Sequence, residues 1–130
     1  MFYRCASILV AGALLMSACG GVISPTTNHN DNVSGTIPFG GAAPEHVFTV
    51  GKTGEYSITI NSLTPPTGSL IGVGFGLEQS GVCNYLTTTY GQIGRPALNS
   101  SISSGTYCVQ LYDLGTLKQD ETYTMTISYP

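Results

Sequence analysis

From Thr36 onward the apolar residues recur at every second position, and few folds accept that pattern. In "TYTMTISY" Tyr123, Met125, Ile127 and Tyr129 share one parity, with only Thr and Ser between them. "YSITI" puts Tyr56, Ile58 and Ile60 on one face and Ser57 and Thr59 on the other. Phe48 and Val50 alternate with Thr49, and "TYCVQLYD" sends Tyr107, Val109 and Leu111 one way and Cys108, Gln110 and Tyr112 the other. Side chains alternate across a strand, so each run is a strand with one face buried. No helical period is sustained after residue 18. Weaker strands are expected near Ile37–Phe39, Val82–Tyr90 and Leu98–Ser103.

Breakers separate the runs. "LTPPTGS" stops one strand, because proline cannot donate to a ladder. "EQSGVC", "GQIGRP", "SSG" and "DLGTLKQDE" punctuate the rest, and "VGKTGE" predicts a short hairpin with Gly51 and Gly54 free to take positive φ. About seven or eight short strands at such spacing predict an antiparallel jelly-roll or Greek-key β-sandwich over residues 36–130.

Residues 1–18 read differently. "MFYRCASILVAGALLMSACGG" has one early cation, Arg4, an apolar run from Ile8 to Met16, and a small-residue exit. That is the layout of a secretory signal, and the run is too short for the ~20 residues that cross a bilayer. "MSAC" at Met16–Cys19 resembles the bacterial lipobox, with methionine standing where leucine is usual. The resemblance implies that Cys19 is diacylated and becomes the new N-terminus. Gly20 resembles the outer-membrane sorting preference, which implies a cell-envelope location with the membrane as partner. One acyl chain holds a protein only marginally, and two hold it firmly. Residues 19–35 read as a flexible tether, small and polar with Pro25 inside, in which His29 is solvated.

With Cys5 in the signal and Cys19 taken by lipid, Cys83 and Cys108 remain as an even pair in an exported domain. That reads as one disulfide, worth about 3.5 kcal/mol for a loop of about 25 residues. A zinc reading of the pair fails for want of a CxxC or a histidine at ligand spacing. The chain is formally −3, and loss of Arg4 leaves about −4, with Lys52, Arg95 and Lys118 scattered. A nucleic-acid partner needs a clustered basic face, so that class is excluded.

"LIGVGFGLE" alternates Gly72, Gly74 and Gly76 with Ile71, Val73, Phe75 and Leu77. The glycine spacing is wrong for a dinucleotide loop, and no helix follows. The run is a strand with a core face and a bare face. Either a neighbouring tyrosine lies over the glycines, Tyr112 and Tyr85 being candidates, or a shallow trough admits a ligand. The surface to examine comprises Gly72, Gly74, Gly76, Tyr85, Tyr90 and Tyr112, with a glycan or an envelope protein as partner.

"HVFTVGKTGEYSITINSL", "IGVGFGLEQSGVC", "GTYCVQLYDLG" and the closing "YTMTISYP" are similar to the bacterial pre-peptidase C-terminal type of β-sandwich over residues 36–130. The resemblance implies a jelly-roll-like accessory module. In larger proteins such modules accompany secreted hydrolases and aid secretion, adhesion or substrate binding, and some bind calcium. Asp113, Asp120 and Glu121 could converge on calcium if the loop from Asp113 to Glu121 folds back. Otherwise no cofactor is expected. His46 reads as structural, no GxSxG or HExxH occurs, and no enzyme is expected. The reading is a non-catalytic, lipid-anchored envelope protein acting as a binding or accessory module. Its alternatives are a purely structural envelope lipoprotein and, further off, a secreted-enzyme accessory or calcium-dependent adhesion domain.

Intact-mass analysis of the protein extracted from a bacterial envelope should find an N-terminus at Cys19 carrying a diacylglyceryl group. An unmodified Cys19 would leave the chain without its anchor.

Overall fold

A computed structural model describes residues 28–130. The signal at 1–18, Cys5, Cys19 and the first part of the expected tether lie outside the described residues. The described chain forms eight strands: β1 His29–Ile37, β2 His46–Val50, β3 Gly54–Thr64, β4 Ile71–Gln79, β5 Val82–Gly91, β6 Pro96–Ile102, β7 Gly105–Asp113 and β8 Glu121–Tyr129. They make two four-stranded antiparallel sheets, ordered β1-β8-β3-β6 and β2-β7-β4-β5. Only the β4–β5 connection stays within a sheet; every other connection crosses to the opposite one. That is the double-sheet, jelly-roll solution to burying two apolar faces against each other.

The period-two residues meet between the sheets. Ile58, Ile60, Met125 and Ile127 of the first sheet face Ile71, Val73, Val109 and Leu111 of the second, all almost fully buried. An aromatic cluster fills one end. Phe75 lies between Tyr56, at a ring-centroid distance of 4.7 Å, and Tyr107, at 5.4 Å. Phe48 packs on Tyr129 at 4.9 Å. Along β3 the apolar spacing lengthens from two to three between Ile60 and Leu63. The register shift opposite Met125 and Thr124 absorbs the extra residue, Asn61, and returns Leu63 to the core.

Two expectations are corrected. Residues 29–35, expected within the tether, belong to β1, which pairs with β8 from His29↔Tyr129 to Ile37↔Glu121. Its composition of Asn, Asp, Ser and Gly hides a strand whose inward positions carry Asp31, Val33, Gly35 and Ile37. β8 supplies the ladder, and side chains reinforce it. On the outer face Asn61 Nδ2 donates to Thr126 Oγ1 at 2.8 Å, and Thr126 Oγ1 donates to Asn32 Oδ1 at 3.0 Å. The expected "VGKTGE" hairpin is not one, because β2 and β3 belong to opposite sheets. Neither Gly51 nor Gly54 takes a positive φ. A β-carbon at Gly54 would instead stand 2.7 Å from Pro130 Cγ, so the glycine admits the end of the chain.

The true hairpin is β4–β5. Ser80 at φ 54° and Gly81 at φ 79° turn the chain between Gln79 and Val82, as a two-residue hairpin loop with both central residues left-handed requires. Beyond the turn β5 does not lie flat. Cys83 of β5 and Cys108 of β7 are joined by a disulfide with Cα atoms 5.9 Å apart, the pairing expected from the sequence. Their strands flank β4 on opposite sides. Strands separated by a third are ordinarily about 9.5 Å apart. The start of β5 therefore folds over the outer face of β4 to reach β7. The crossing point is Gly76, where a β-carbon would run into the backbone of Asn84 and Tyr85. The pairing of β4 with β5 shifts register there, between Phe75 and Gly76.

The obstruction at Gly76 is backbone, whereas that at Gly72 is a side-chain ring. Gly76→Ala should therefore be the more damaging, costing more than the ~1–3 kcal/mol of ordinary overpacking and leaving free thiols detectable by a thiol reagent. Gly72→Ala should fall within that range. Gly68, with open space where its β-carbon would go, should accept alanine within about 0.5 kcal/mol. Denaturant unfolding of the three variants checks the order.

Candidate functional site

The outer face of the second sheet is built in rows by strand register. Tyr90, Gly72 and Tyr112 form one row, and Thr88, Gly74 and Gln110 the next. Tyr85, Gly76 and Cys108 form the third. The glycines are buried, so of the two readings of the bare face it is cover by tyrosine, not an open trough, that the structure holds. The ring of Tyr112 occupies the space above Gly72. Tyr85 covers Gly74, where a β-carbon would stand 2.8 Å from its Cε1. What reaches solvent is the tyrosines: Tyr85 is 42% exposed and Tyr90 61% exposed, with Tyr112 half-buried.

Polar groups hold Tyr85 across the sheet. Its hydroxyl lies 3.0 Å from Glu45 Oε1 and also contacts Gln110 Oε1. Gln110 Nε2 donates to the Ala43 carbonyl at 2.8 Å, which fixes the amide's orientation. The phenol is pushed up to about 12, first by burial and then by the hydrogen bond to Glu45 and that group's charge. A raised phenol pKa means that the protonated, donating form is the one the fold favours; its contribution is complete below pH 10 and fades between 10 and about 12.

A groove of about 600 Å³ runs beside Glu45, between β1 and the segment leading into β2. Val33, Gly35, Pro44, Glu45, His46 and Tyr123 are among its walls. At its rim His46 Nε2 lies 3.1 Å from Asp31 Oδ2, and Tyr129 donates to Asp31 Oδ1 at 3.2 Å. His46 thus ties the edge strand of one sheet to the edge strand of the other. Nothing in local spacing announced this cluster, since Asp31 sat in the expected tether and Glu45 stood alone. The signal available was parity: Asp31 is in phase with Val33, Gly35 and Ile37.

The carboxylates considered for calcium do other work. Asp113 Oδ1 accepts the backbone N–H groups of Gly115 at 2.8 Å, Thr116 at 3.0 Å and Leu117 at 3.1 Å. Its Oδ2 accepts Gly40 N–H at 2.8 Å. The backbone bond from Leu117 is the largest of the causes that hold its carboxyl below the usual value, and the bonds from Gly40, Gly115 and Thr116 add to it. Asp120 Oδ1 accepts Phe39 N–H at 2.8 Å, and Glu121 is buried. Asp113 and Asp120 therefore face hydrogen-bond donors, which a cation would have to displace. Among the described residues no three His, Cys, Asp or Glu side chains are grouped to hold a metal ion.

No family model matches the sequence, and no curated protein matches it.

The Asp113 clasp has a defined pH dependence. Its folded pKa lies below 3.8, the unfolded value, so its contribution is present above that pH and lost as pH falls through the folded value. Asp113→Asn should lower Tm by several degrees at pH 7, and the gap to the parent should close in acid. A gap that stays constant down to pH 2 would show that the charge is irrelevant.

Proposed function

We propose that the protein is a non-catalytic binding module of the bacterial cell envelope. Residues 1–18 export it, Cys19 anchors it through lipid, and the outer face of the second sheet binds a glycan. The observation that carries the reading is the set of tyrosines on that face. Tyr85 is pinned over Gly74 by Glu45 and Gln110, Tyr112 lies over Gly72, and Tyr90 stands exposed in the same row as Tyr112. Aromatic rings beside a few fixed polar groups suit a sugar, whose C–H face packs on a ring while its hydroxyls meet the polar atoms. The carboxylate of Glu45 and the amide of Gln110 supply those atoms at one edge, and the groove beside Glu45 continues the surface.

A second reading, a purely structural envelope lipoprotein, rests on the same glycines. Rings that cover bare backbone stabilise the sheet whether or not anything binds to them.

A glycan array probed with the full-length protein in detergent separates the two. The binding reading expects a defined set of glycans. Tyr90→Ala should weaken their binding about tenfold, ~1.4 kcal/mol, while leaving Tm unchanged. No glycan retained on the array, or a Tyr90→Ala variant that binds as well as the parent, would favour the structural reading.

A further inference from the structure

Glu121 is the only buried charged residue among those described, 3% exposed, and its Oε2 has no hydrogen-bond partner. A buried carboxylate oxygen without a donor is costly. Glu121 opens β8 at the end of the sandwich where the β3–β4 loop meets the β7–β8 loop. The two loops enclose a cleft of about 440 Å³ to which Glu121 contributes. Pro65 and Pro66 give it apolar walls, Thr67, Ser69 and Thr116 give it hydroxyls, and Lys118 gives it a cation.

The loops are held in shape. Ser69 N–H donates to Thr67 Oγ1 at 3.1 Å, and Thr67 Oγ1 donates to Ser69 Oγ at 3.0 Å, which keeps these two hydroxyls together. Thr116 Oγ1 donates to the Leu70 carbonyl at 3.4 Å, linking one loop to the other. Thr122 Oγ1 donates to the Thr64 carbonyl at 3.2 Å at the mouth of both loops. The Asp113 clasp fixes the backbone of Gly115, Thr116 and Leu117 behind them. Such pre-shaping lowers the ordering cost that a ligand must meet.

The charges choose the ligand class. A cation in this cleft would meet Lys118, and an anion would meet Glu121. A neutral molecule with several hydroxyl groups meets both without penalty. Its O–H groups can donate to the carboxylate and its oxygens can accept from the ammonium and from Thr and Ser hydroxyls. The proline rings offer apolar surface to its C–H face. We infer that the loop-end cleft binds one neutral polyol unit, such as a single sugar ring, with Glu121 as the acceptor and Lys118 as the donor. The site uses none of the tyrosine face and stands or falls separately from it.

The test is ¹H–¹⁵N NMR of the full-length protein in detergent micelles, titrated with methyl glucoside, methyl mannoside and sorbitol. Calcium chloride and methylammonium chloride serve as the cationic probes. The amides of Gly68, Ser69, Thr116 and Lys118 report on the cleft, and those of Gly72 and Thr88 on the tyrosine face. The expected result is a saturable shift of the cleft amides with at least one polyol, weakened about tenfold in Glu121→Gln and, independently, in Lys118→Ala, which is exposed and should fold normally. Three results would overturn the inference: cleft amides that no polyol moves, cleft amides moved by calcium or methylammonium alone, or polyol binding unchanged in both variants. Shifts confined to Gly72 and Thr88 would also overturn it while supporting the tyrosine face.

Discussion

Strand β4 is buried on both faces, and the remainder of the domain is arranged around that condition. Its inner face, Ile71, Val73 and Phe75, lies in the core between the sheets. From Gly72 to Gly76 its outer face has no side chains, and two tyrosine rings and the backbone of β5 fill the space in their place. A strand with side chains on that face could not let β5 cross over it to β7, and the Cys83–Cys108 bridge would then span too great a distance. The glycines, which weaken a strand in isolation, are here the condition for tying three strands together. The disulfide and the rings secure the sheet from outside, while the apolar stripe secures it from within.

Much of this was legible in the chain because one face of each strong strand is uninterrupted. Tyr123, Met125, Ile127 and Tyr129 can only be read as a strand, and so can the alternating glycines. The cysteine pair was legible because Cys83 and Cys108 are the two cysteines that fall among the strands. What escaped was decided by partners. β1 has a polar, β-poor composition, and its ladder comes from β8 and from the hydrogen-bonded row of Asn32, Thr126 and Asn61. The link between β2 and β3 looked like a hairpin, because the choice between pairing with a neighbour and crossing to the other sheet depends on β7 and β8. The hydrogen bonds that Asp113 and Asp120 accept from backbone N–H groups were also out of reach, because spacing cannot say whether a carboxylate will face a backbone donor or an ion.

The surface chemistry follows from the low charge of the chain. Few ionic groups are available to position anything, so the polar network relies on neutral donors and acceptors: Tyr85, Gln110, Asn61 and the threonine rows. The charged groups that do take part are placed singly. Glu45 steadies a ring, Asp31 steadies His46, and Glu121 lies buried beneath two loops. This arrangement suits recognition of uncharged partners, which is the common thread of the function proposed for the tyrosine face and the inference drawn for the cleft.

The pairing of β1 with β8 also gives the domain a direction. The described chain enters at Asn28 and His29, opposite Tyr129, and β1 then runs its nine residues to Ile37, opposite Glu121. Nine residues of extended strand carry it about 30 Å. The β3–β4 and β7–β8 loops therefore sit at the pole remote from the point where the chain comes in. If the lipid is at Cys19, the domain is held from its His29 and Tyr129 end, and the loop-end cleft lies at the pole farthest from that attachment. The tyrosine face is then the flank between the two poles, so the two proposed surfaces lie at different distances from the point of attachment.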